Sequence, residues 1–137
     1  MTDVFSAEKR AAIMRSIKGK DTSPEMTVRR MVRALGCRYR LHVASLPGSP
    51  DLVFASRRRV IFVHGCFWHR HHCRKGRSLP ASQTDFWRRK LEWNARRDRS
   101  VRRRLRRLGW SVLVIWECQL RRPERVRRKL EQFLRDA

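Results

Sequence analysis

The chain has 137 residues, of which 41% are hydrophobic, and its 35 basic side chains outnumber 12 acidic ones to give a net charge of +23. This hydrophobic fraction suffices for one core, so we expect a single domain over residues 1–137. The charge disfavours most partners except polyanions, above all nucleic acids. The sequence contains neither an apolar run of membrane-spanning length nor a secretory leader, so we expect a cytoplasmic protein.

The first predicted helix begins at Ser6, whose side chain is a good N-cap. Its apolar residues Ala11, Met14 and Ile17 recur three residues apart and form a narrow stripe with basic flanks. From the pattern alone, the preferred interpretation of Met14 and Ile17 is packing against the core.

A second helix is predicted to begin with Ser23 as its N-cap and Pro24 at its first position, and to end at Gly36. Glu25 lies three residues before the apolar face of this helix and extends that face. Its carboxylate is either a partner of the helix dipole or a residue of a functional site. The buried face is predicted to consist of Val28, Met31, Val32 and Leu35.

A hairpin of two strands is predicted next. It follows a loop at residues 46–50, and its first strand covers residues 51–55. Residues 56–58 turn the chain. The continuous apolar run at residues 60–63 then predicts a strand that is covered on both faces.

A long helix and a third strand follow. Residues 83–108 have a helical pattern, with or without a break, and Gly109 ends it. Residues 112–116 predict another buried strand. This mixture of elements in one short chain predicts an α/β fold, a sheet with helices packed against it. Pro123 opens a last helix, whose inward-facing residues are predicted to be Val126, Leu130, Phe133 and Leu134.

Residues 64–73 hold two of the four cysteines and four of the five histidines of the chain. Cys66 and Cys73, together with one of the nearby histidines, could bind zinc if a fourth ligand came from elsewhere. Cys118, just past the third strand, is the natural candidate. Cys37 is interpreted as an ordinary buried thiol, and disulfides are disfavoured in a cytoplasmic chain. At this point the nitrogen ligand is equally well His69, His71 or His72.

Two acidic residues lie where a basic protein would not be expected to place them. Asp51 follows Pro50 at the start of a predicted strand, where a carboxylate can bind a hard cation such as Mg²⁺. Asp98 lies within an apolar stripe of the long helix, so it needs a partner, either a structural arginine or a catalytic histidine. The abundance of arginine favours the first. The stripe consists of Leu91, Asn94 or Ala95, Asp98, Val101, Leu105 and Leu108.

Carboxylates beside a bound metal, a nearby imidazole and a polycationic surface together describe phosphodiester hydrolysis better than simple binding. The metal offsets charge that builds on the phosphoryl group and activates water, while the imidazole takes a proton. With zinc bound in a closed site, His64 and His69 remain available for this chemistry.

Three segments of the chain carry a resemblance to a known family. They are residues 45–51 (SLPGSPD), residues 60–69 (VIFVHGCFWH), and residues 109–118, which begin with GW and end with WEC. The chain closely resembles the very short patch repair (Vsr) endonucleases from its first helix, with Asp21 and Thr22 ahead of Glu25, to at least Cys118.

The resemblance implies a modified restriction-endonuclease fold of the PD-(D/E)xK type, a central mixed sheet flanked by helices with a structural zinc site. It implies an enzyme that acts on T:G mismatches left by deamination of 5-methylcytosine. The enzyme nicks one strand 5′ to the mismatched thymine and so initiates very short patch repair. The implied cofactors are catalytic magnesium and structural zinc. The implied partners are mismatched duplex DNA and mismatch-repair and gap-filling proteins, and a monomer at the nucleoid is expected.

The resemblance also implies roles for individual residues. Asp51 binds Mg²⁺, and Glu25 supports the catalytic cluster. His69 is the general base, oriented by Asp98, which favours histidine over arginine as the partner of that carboxylate. His64 contacts the scissile phosphate. The implied zinc ligands are Cys66, His71, Cys73 and Cys118.

The chain departs from the family at two positions. Val63 stands where the family often has a threonine whose backbone carbonyl helps to hold Mg²⁺. The carbonyl survives this change, but a hydrogen bond from the hydroxyl is absent. Arg70 replaces a histidine, with no expected consequence for zinc.

Recognition of a mismatch is expected to exploit weakened base stacking, since apolar side chains can enter between base pairs and kink the duplex. Phe67, Trp68 and Trp87 form the implied wedge, which enters from the major groove. The other interpretation of Trp87, a helix packing contact, is disfavoured because Phe86 can fill the core instead. The first helix, within residues 1–20, is implied to approach the minor groove, which replaces the core-packing interpretation of Met14 and Ile17.

Two other function classes use some of the same features. A non-catalytic, zinc-stabilised DNA-binding module would use the same basic surface and zinc ligands, but it leaves Asp51, His69 and Asp98 unexplained. An RNA-binding protein would use the same basic surface, including the arginine-rich runs at residues 96–107 and 121–128, and it predicts no preference for mismatched DNA. Nicking of a mismatched duplex separates the enzyme from both alternatives, and competition binding with mismatched DNA separates the RNA-binding class.

Overall fold

The apolar run at residues 60–63 forms the centre of a four-stranded sheet. The computed structural model of the protein describes residues 22–135, so the predicted first helix, with Met14 and Ile17, lies outside the described residues. The helices are α1 (Ser23–Ala34), α2 (Arg74–Arg77), α3 (Thr84–Arg107) and α4 (Pro123–Arg135). The strands are β1 (Arg40–Leu41), β2 (Leu52–Phe54), β3 (Arg59–His64) and β4 (Ser111–Trp116), and 3₁₀ turns cover Ala55–Arg57 and Glu117–Arg121.

The strands lie in the order β1-β2-β3-β4. β2 and β3 are antiparallel, with Leu52 opposite Ile61, which confirms the predicted hairpin, and β1 pairs with β2 in the same sense. β3 and β4 are parallel, with His64 opposite Trp116. Because a parallel pair needs a crossover connection, α3 carries the chain from one strand to the other. β3 and β4 therefore end at the same edge of the sheet.

β3 is covered on both faces, as predicted. Ile61 packs in a core with residues of α1 and α4, whereas Val60 and Phe62 pack in a second core with Val101 and Leu105 of α3. The alternation of side chains along one strand thus joins two cores. This arrangement confirms the α/β class with a mixed sheet.

α1 differs from its predicted form at both ends. Its N-cap is Thr22 rather than Ser23, because the Thr22 hydroxyl accepts a hydrogen bond from the Glu25 N–H at 3.3 Å. Leu35, predicted to be buried, is 37% exposed because it lies after the last helical residue. The other predicted inward residues are buried, namely Val28, Met31 and Val32.

α3 is one unbroken helix of 24 residues, and Gly109, with a φ of 90°, follows its end as predicted. Leu108, predicted to lie on the apolar stripe, is 52% exposed because the helix has already ended. Although α3 is long, its exposed face is dense in arginine. Within residues 22–135, no helix combines the length and the apolar character needed to cross a bilayer.

The C-terminal elements are less buried than predicted. Of the β4 side chains only Ile115 is fully buried, and the rest are half-buried or exposed. In α4, Phe133 is partly buried, and the fully inward residues are Val126, Leu130 and Leu134. β1, α2 and the 3₁₀ turn at Glu117–Arg121 were not predicted, because elements of two to five residues carry too little periodicity to detect.

Candidate active site and metal centres

The candidate catalytic site lies at the sheet edge where β3 and β4 end. Asp51 directly precedes β2, and antiparallel pairing places it beside the last residues of β3. Its Oδ2 accepts a hydrogen bond from the Val63 backbone N–H at 2.7 Å. The Asp51 carboxylate is therefore fixed against the strand that also carries His64.

The turn before Asp51 requires glycine. Gly48 has a φ of 74°, and a Cβ at this position would lie 2.5 Å from Cγ1 of Val101. Any L side chain would therefore be strained in the left-handed region and would collide with α3. Gly48 allows the loop to pack closely against α3 as it leads the chain to Asp51.

His69 is paired with Asp98 of α3. Its Nδ1 lies 2.6 Å from Oδ2 of Asp98. A carboxylate at Nδ1 holds the imidazole in the tautomer that carries the proton there, which leaves the Nε2 lone pair able to accept another. The arginine partner favoured by the residue pattern alone was wrong, and the histidine partner implied by the resemblance is the one observed.

His64 lies directly against His69. The two rings are stacked, with centroids 3.8 Å apart and planes at 5°. Burial, followed by the nearby His69 and Arg102, lowers the pKa of His64 well below its usual value. The buried Nδ1 of His64 has no hydrogen-bond partner within residues 22–135. His64 is thus a neutral imidazole with one unsatisfied polar atom.

A cavity of about 570 Å³ joins these groups, and its lining includes Asp51, His64, His69 and Asp98. Four predicted catalytic residues from three separate segments are thus brought together. Glu25 does not line this cavity. It is 1% exposed and lies behind Asp51, where it pairs with Arg29.

The Asp51 carboxylate suits a hard divalent cation. Burial raises the pKa of Asp51 to about 7 against the lowering effect of the Val63 N–H bond, and the Glu25 carboxylate adds to the rise. A carboxylate that is costly to ionise alone is stabilised in its charged form by a bound cation. Because Mg²⁺ prefers oxygen ligands, the Asp51 carboxylate and the Val63 backbone carbonyl are a suitable donor set.

His42 is a site residue that the sequence pattern did not predict. It follows β1 with a φ of 48°, and it lines the same cavity. Its Nε2 lies 3.0 Å from Oε2 of Glu25, and its Nδ1 lies 3.6 Å from Oδ1 of Asp51. No signal in the sequence distinguishes this histidine, because it lies outside the segment rich in cysteine and histidine.

The four residues implied as zinc ligands lie together. The ligand atoms of Cys66, His71, Cys73 and Cys118 are all within 4.8 Å of one another, and all four cysteines of the chain are free thiols. Burial raises the pKa of Cys66 to about 12, so its thiolate needs a cation beside it. Three thiols and one imidazole suit tetrahedral Zn²⁺. Cys37, predicted to be buried, is only half-buried and lies outside this cluster.

Glu117 connects the loop that carries Cys66 to the end of β4. Its Oε1 accepts a hydrogen bond from the Cys66 backbone N–H at 3.2 Å and lies 3.1 Å from Nζ of Lys75. The ring of His71 stacks on Trp116 with centroids 4.2 Å apart. These contacts hold the Cys66 loop and the His71 ring in the positions that bring the four potential zinc ligands together.

The residues implied as the wedge form one aromatic cluster. The ring centroids of Phe67, Trp68 and Trp87 lie 5.0 to 6.0 Å apart. Trp87 is 9% exposed, whereas Phe86 is 48% exposed, so the expectation that Phe86 fills the core instead of Trp87 is wrong. Trp87 packs against Phe67 and Trp68, which are both half-buried.

Comparison with known proteins gives one matching family and relatives that are all named as endonucleases or nicking enzymes. The family described as DNA mismatch endonuclease Vsr matches residues 2–75. The type II nicking enzyme V.XorIIP of Xanthomonas oryzae pv. oryzae is 49% identical over 120 residues, which cover 88% of each chain. The DNA mismatch endonuclease Vsr of Escherichia coli is 44% identical over 126 residues, 92% of this chain and 80% of the relative. The type II nicking enzyme V.NmeAIP of Neisseria meningitidis is 40% identical over 136 residues, 99% of this chain and 96% of the relative.

Proposed function

This chain belongs to the Vsr family of DNA mismatch endonucleases, and on that premise we propose that it nicks one strand of duplex DNA at T:G mismatches. It is a DNA-nicking endonuclease, the activity for which its relatives are named. The proposed substrate arises by deamination of 5-methylcytosine, and the cut lies 5′ to the mismatched thymine. The observation that carries this proposal is the cavity shared by Asp51, His64, His69 and Asp98.

The proposal includes the wider features that the resemblance implies. The mixed sheet is a modified PD-(D/E)xK-type fold, and residues 1–137 act as one monomeric domain at the nucleoid. Residues 1–20 approach the minor groove through Met14 and Ile17. The nicked DNA passes to mismatch-repair and gap-filling proteins, which complete very short patch repair.

Asp51, through its carboxylate, and Val63, through its backbone carbonyl, are the proposed Mg²⁺ ligands. When bound, Mg²⁺ offsets charge on the phosphoryl oxygens and lowers the pKa of water. The Val63 N–H bond to Oδ2 already orients the Asp51 carboxylate. That orientation supports metal binding although the family threonine is absent.

His69 is the proposed general base. Asp98 keeps a proton on Nδ1, so Nε2 accepts the proton of the attacking water, and the carboxylate then stabilises the imidazolium. His64, neutral and stacked on His69, contacts an oxygen of the scissile phosphate. Glu25 supports the cluster from behind Asp51.

The test of this function is a nicking assay with Mg²⁺ and end-labelled duplexes that carry a T:G mismatch or a matched T:A pair. We expect one nick, in the thymine strand only, immediately 5′ to the mismatched thymine. Binding without cleavage would support the non-catalytic DNA-binding module. Equal cleavage of the matched duplex would contradict the proposed specificity.

Removal of one zinc ligand is expected to abolish zinc binding. Cys118→Ser leaves three ligands for a tetrahedral site, and the loop that carries Cys66 loses the metal-mediated part of its link to the end of β4. We expect close to one zinc per chain in the wild type and almost none in the variant, with a lower melting temperature. Zinc content is measured by mass spectrometry of the metal, and melting by circular dichroism.

Cys37→Ser is the matched control, because this half-buried thiol lies outside the cluster. It is expected to keep the wild-type zinc content. A full complement of zinc in Cys118→Ser would contradict the proposed ligand set, whatever happened to the melting temperature.

The wedge is expected to provide discrimination between mismatched and matched DNA. Trp68→Ala removes one of the two half-buried aromatic side chains that pack against Trp87, so the protein compensates less of the cost of unstacking the mismatch. We expect the preference for T:G over T:A in binding to fall by roughly tenfold, as for loss of about 1.4 kcal/mol. Fluorescence anisotropy with both duplexes measures it. Trp110→Ala, at the opposite end of β4, is the control, and an equal loss of preference there would contradict the wedge.

A further inference from the structure

We propose that His42 is a positioning residue that holds the Asp51 carboxylate in the orientation needed to bind Mg²⁺. This inference rests on the proposed function, in which Asp51 is a metal ligand. The resemblance assigns no role to His42, so the inference adds a residue to the site.

Different groups face the two oxygens of Asp51. The Val63 N–H donates to Oδ2 at 2.7 Å, and Nδ1 of His42 lies 3.6 Å from Oδ1, within ion-pair range. The Glu25 carboxylate also interacts with the Asp51 side chain from the buried side. A group at Oδ1 restricts rotation of the carboxylate about its bond to Cβ and so lowers the conformational entropy lost when a cation binds.

His42 is itself held firmly, as a positioning role requires. Its backbone N–H donates to the Asp51 carbonyl oxygen at 3.3 Å, and its φ of 48° follows the end of β1. Its Nε2 lies 3.0 Å from Oε2 of Glu25, and its side chain is only 16% exposed. The imidazole therefore contacts both carboxylates, and Glu25, which does not line the cavity, also interacts with Asp51 directly.

The position of Arg29 argues against metal ligation through Nε2 of His42. Nη2 of Arg29 lies 3.2 Å from Nε2 of His42 and also contacts Glu25. A metal bound at Nε2 would have to approach this guanidinium, and the repulsion between the two cations opposes that arrangement. The other ring nitrogen, Nδ1, lies toward Asp51, as a group that orients the carboxylate should.

The test uses two variants that both tolerate a positive φ. His42→Gly removes the side chain without backbone strain, whereas His42→Asn keeps a donor near the position of Nδ1. Two quantities are measured, the Mg²⁺ concentration for half-maximal nicking and the Mn²⁺ dissociation constant. The second is obtained by electron paramagnetic resonance on the full-length protein bound to a duplex already nicked beside the mismatch, with the duplex alone as blank.

For His42→Gly we expect both quantities to rise by about tenfold or more, the range found when a group that supports a metal ligand is lost. The zinc content is expected to stay near that of the wild type, and the rate at saturating Mg²⁺ is expected to fall by less than the metal affinity. His42→Asn is expected to restore most of the affinity for both ions.

Three results would overturn the inference. They are an unchanged Mn²⁺ dissociation constant in His42→Gly, an equal loss in the Gly and Asn variants, and a lower maximal rate without any change in metal affinity. A wild-type protein that fails to nick the T:G duplex would refute the proposed function instead. In that case the Mn²⁺ dissociation constants of the three proteins would still decide the role of His42.

Discussion

Asp51→Asn is expected to reduce the nicking rate by about a thousandfold or more, since a bound metal contributes several kcal/mol to stabilisation of the transition state. The substitution keeps the size of the side chain and an oxygen that can accept from the Val63 N–H, whose bond in the wild type is 2.7 Å. It removes the charge that attracts the cation. Single-turnover nicking of a T:G duplex at several Mg²⁺ concentrations measures the loss.

Duplex binding, zinc content and melting temperature are expected to stay close to wild-type values in Asp51→Asn. The pKa of Asp51 is raised to about 7 by burial, so replacing a partly charged buried group with a neutral one does not weaken the fold. Asp85→Asn is the matched control, because the Asp85 side chain is 87% exposed at the start of α3. If Asp51→Asn kept more than about a tenth of the wild-type rate, metal binding by this carboxylate would be refuted, since that rate corresponds to less than about 1.4 kcal/mol.

The elements that could be predicted from the sequence are those with strong local signals. The apolar run of β3 is rich in β-branched residues and follows a turn, and the stripe along α3 is long enough for its helical period to be informative. The helical spacing of α3 also indicates that Trp87 is buried, because Trp87 lies four residues before Leu91 and therefore on the same buried face. The prediction that Phe86 fills the core overlooked this spacing.

Other features depend on contacts that no local pattern encodes. The apolar stripe showed that Asp98 faces inward, but its partner, His69, comes from a different segment of the chain. His42 becomes a site residue only because the two-residue strand β1 pairs with β2 beside Asp51. Strands of this length have no periodicity, so neither β1 nor the histidine after it could be predicted.

The proposed zinc cluster could be predicted from the sequence in part. The cysteine and histidine content of residues 64–73 indicated a metal site, and the end of the third predicted strand indicated Cys118. The choice of His71 over its neighbours needed the resemblance, because three histidines fit the spacing equally well. The structure brings His71, and not His69 or His72, to the three thiols.

His69→Ala and Asp98→Asn are expected to show strongly non-additive losses of nicking. If His69 is the base, its removal costs roughly a hundredfold to ten-thousandfold, the usual contribution of a positioned general base. Asp98→Asn removes the charge that stabilises the imidazolium and weakens the preference for a proton on Nδ1, so its loss is expected to be at least about a hundredfold. The two side chains are joined by a single 2.6 Å contact.

If Asp98 acts through His69, as proposed, the double variant is expected to be no slower than His69→Ala alone. The four proteins are compared by single-turnover nicking at saturating Mg²⁺, with His72→Ala as the control, since His72 is exposed and lies outside the catalytic cluster. Losses that simply multiply would show that Asp98 contributes independently of the imidazole, for example by contacting Arg102, which lies close enough to feel its charge. An Asp98→Asn variant with wild-type activity would refute the pairing as a catalytic device and reduce it to a structural contact between α3 and the loop after β3.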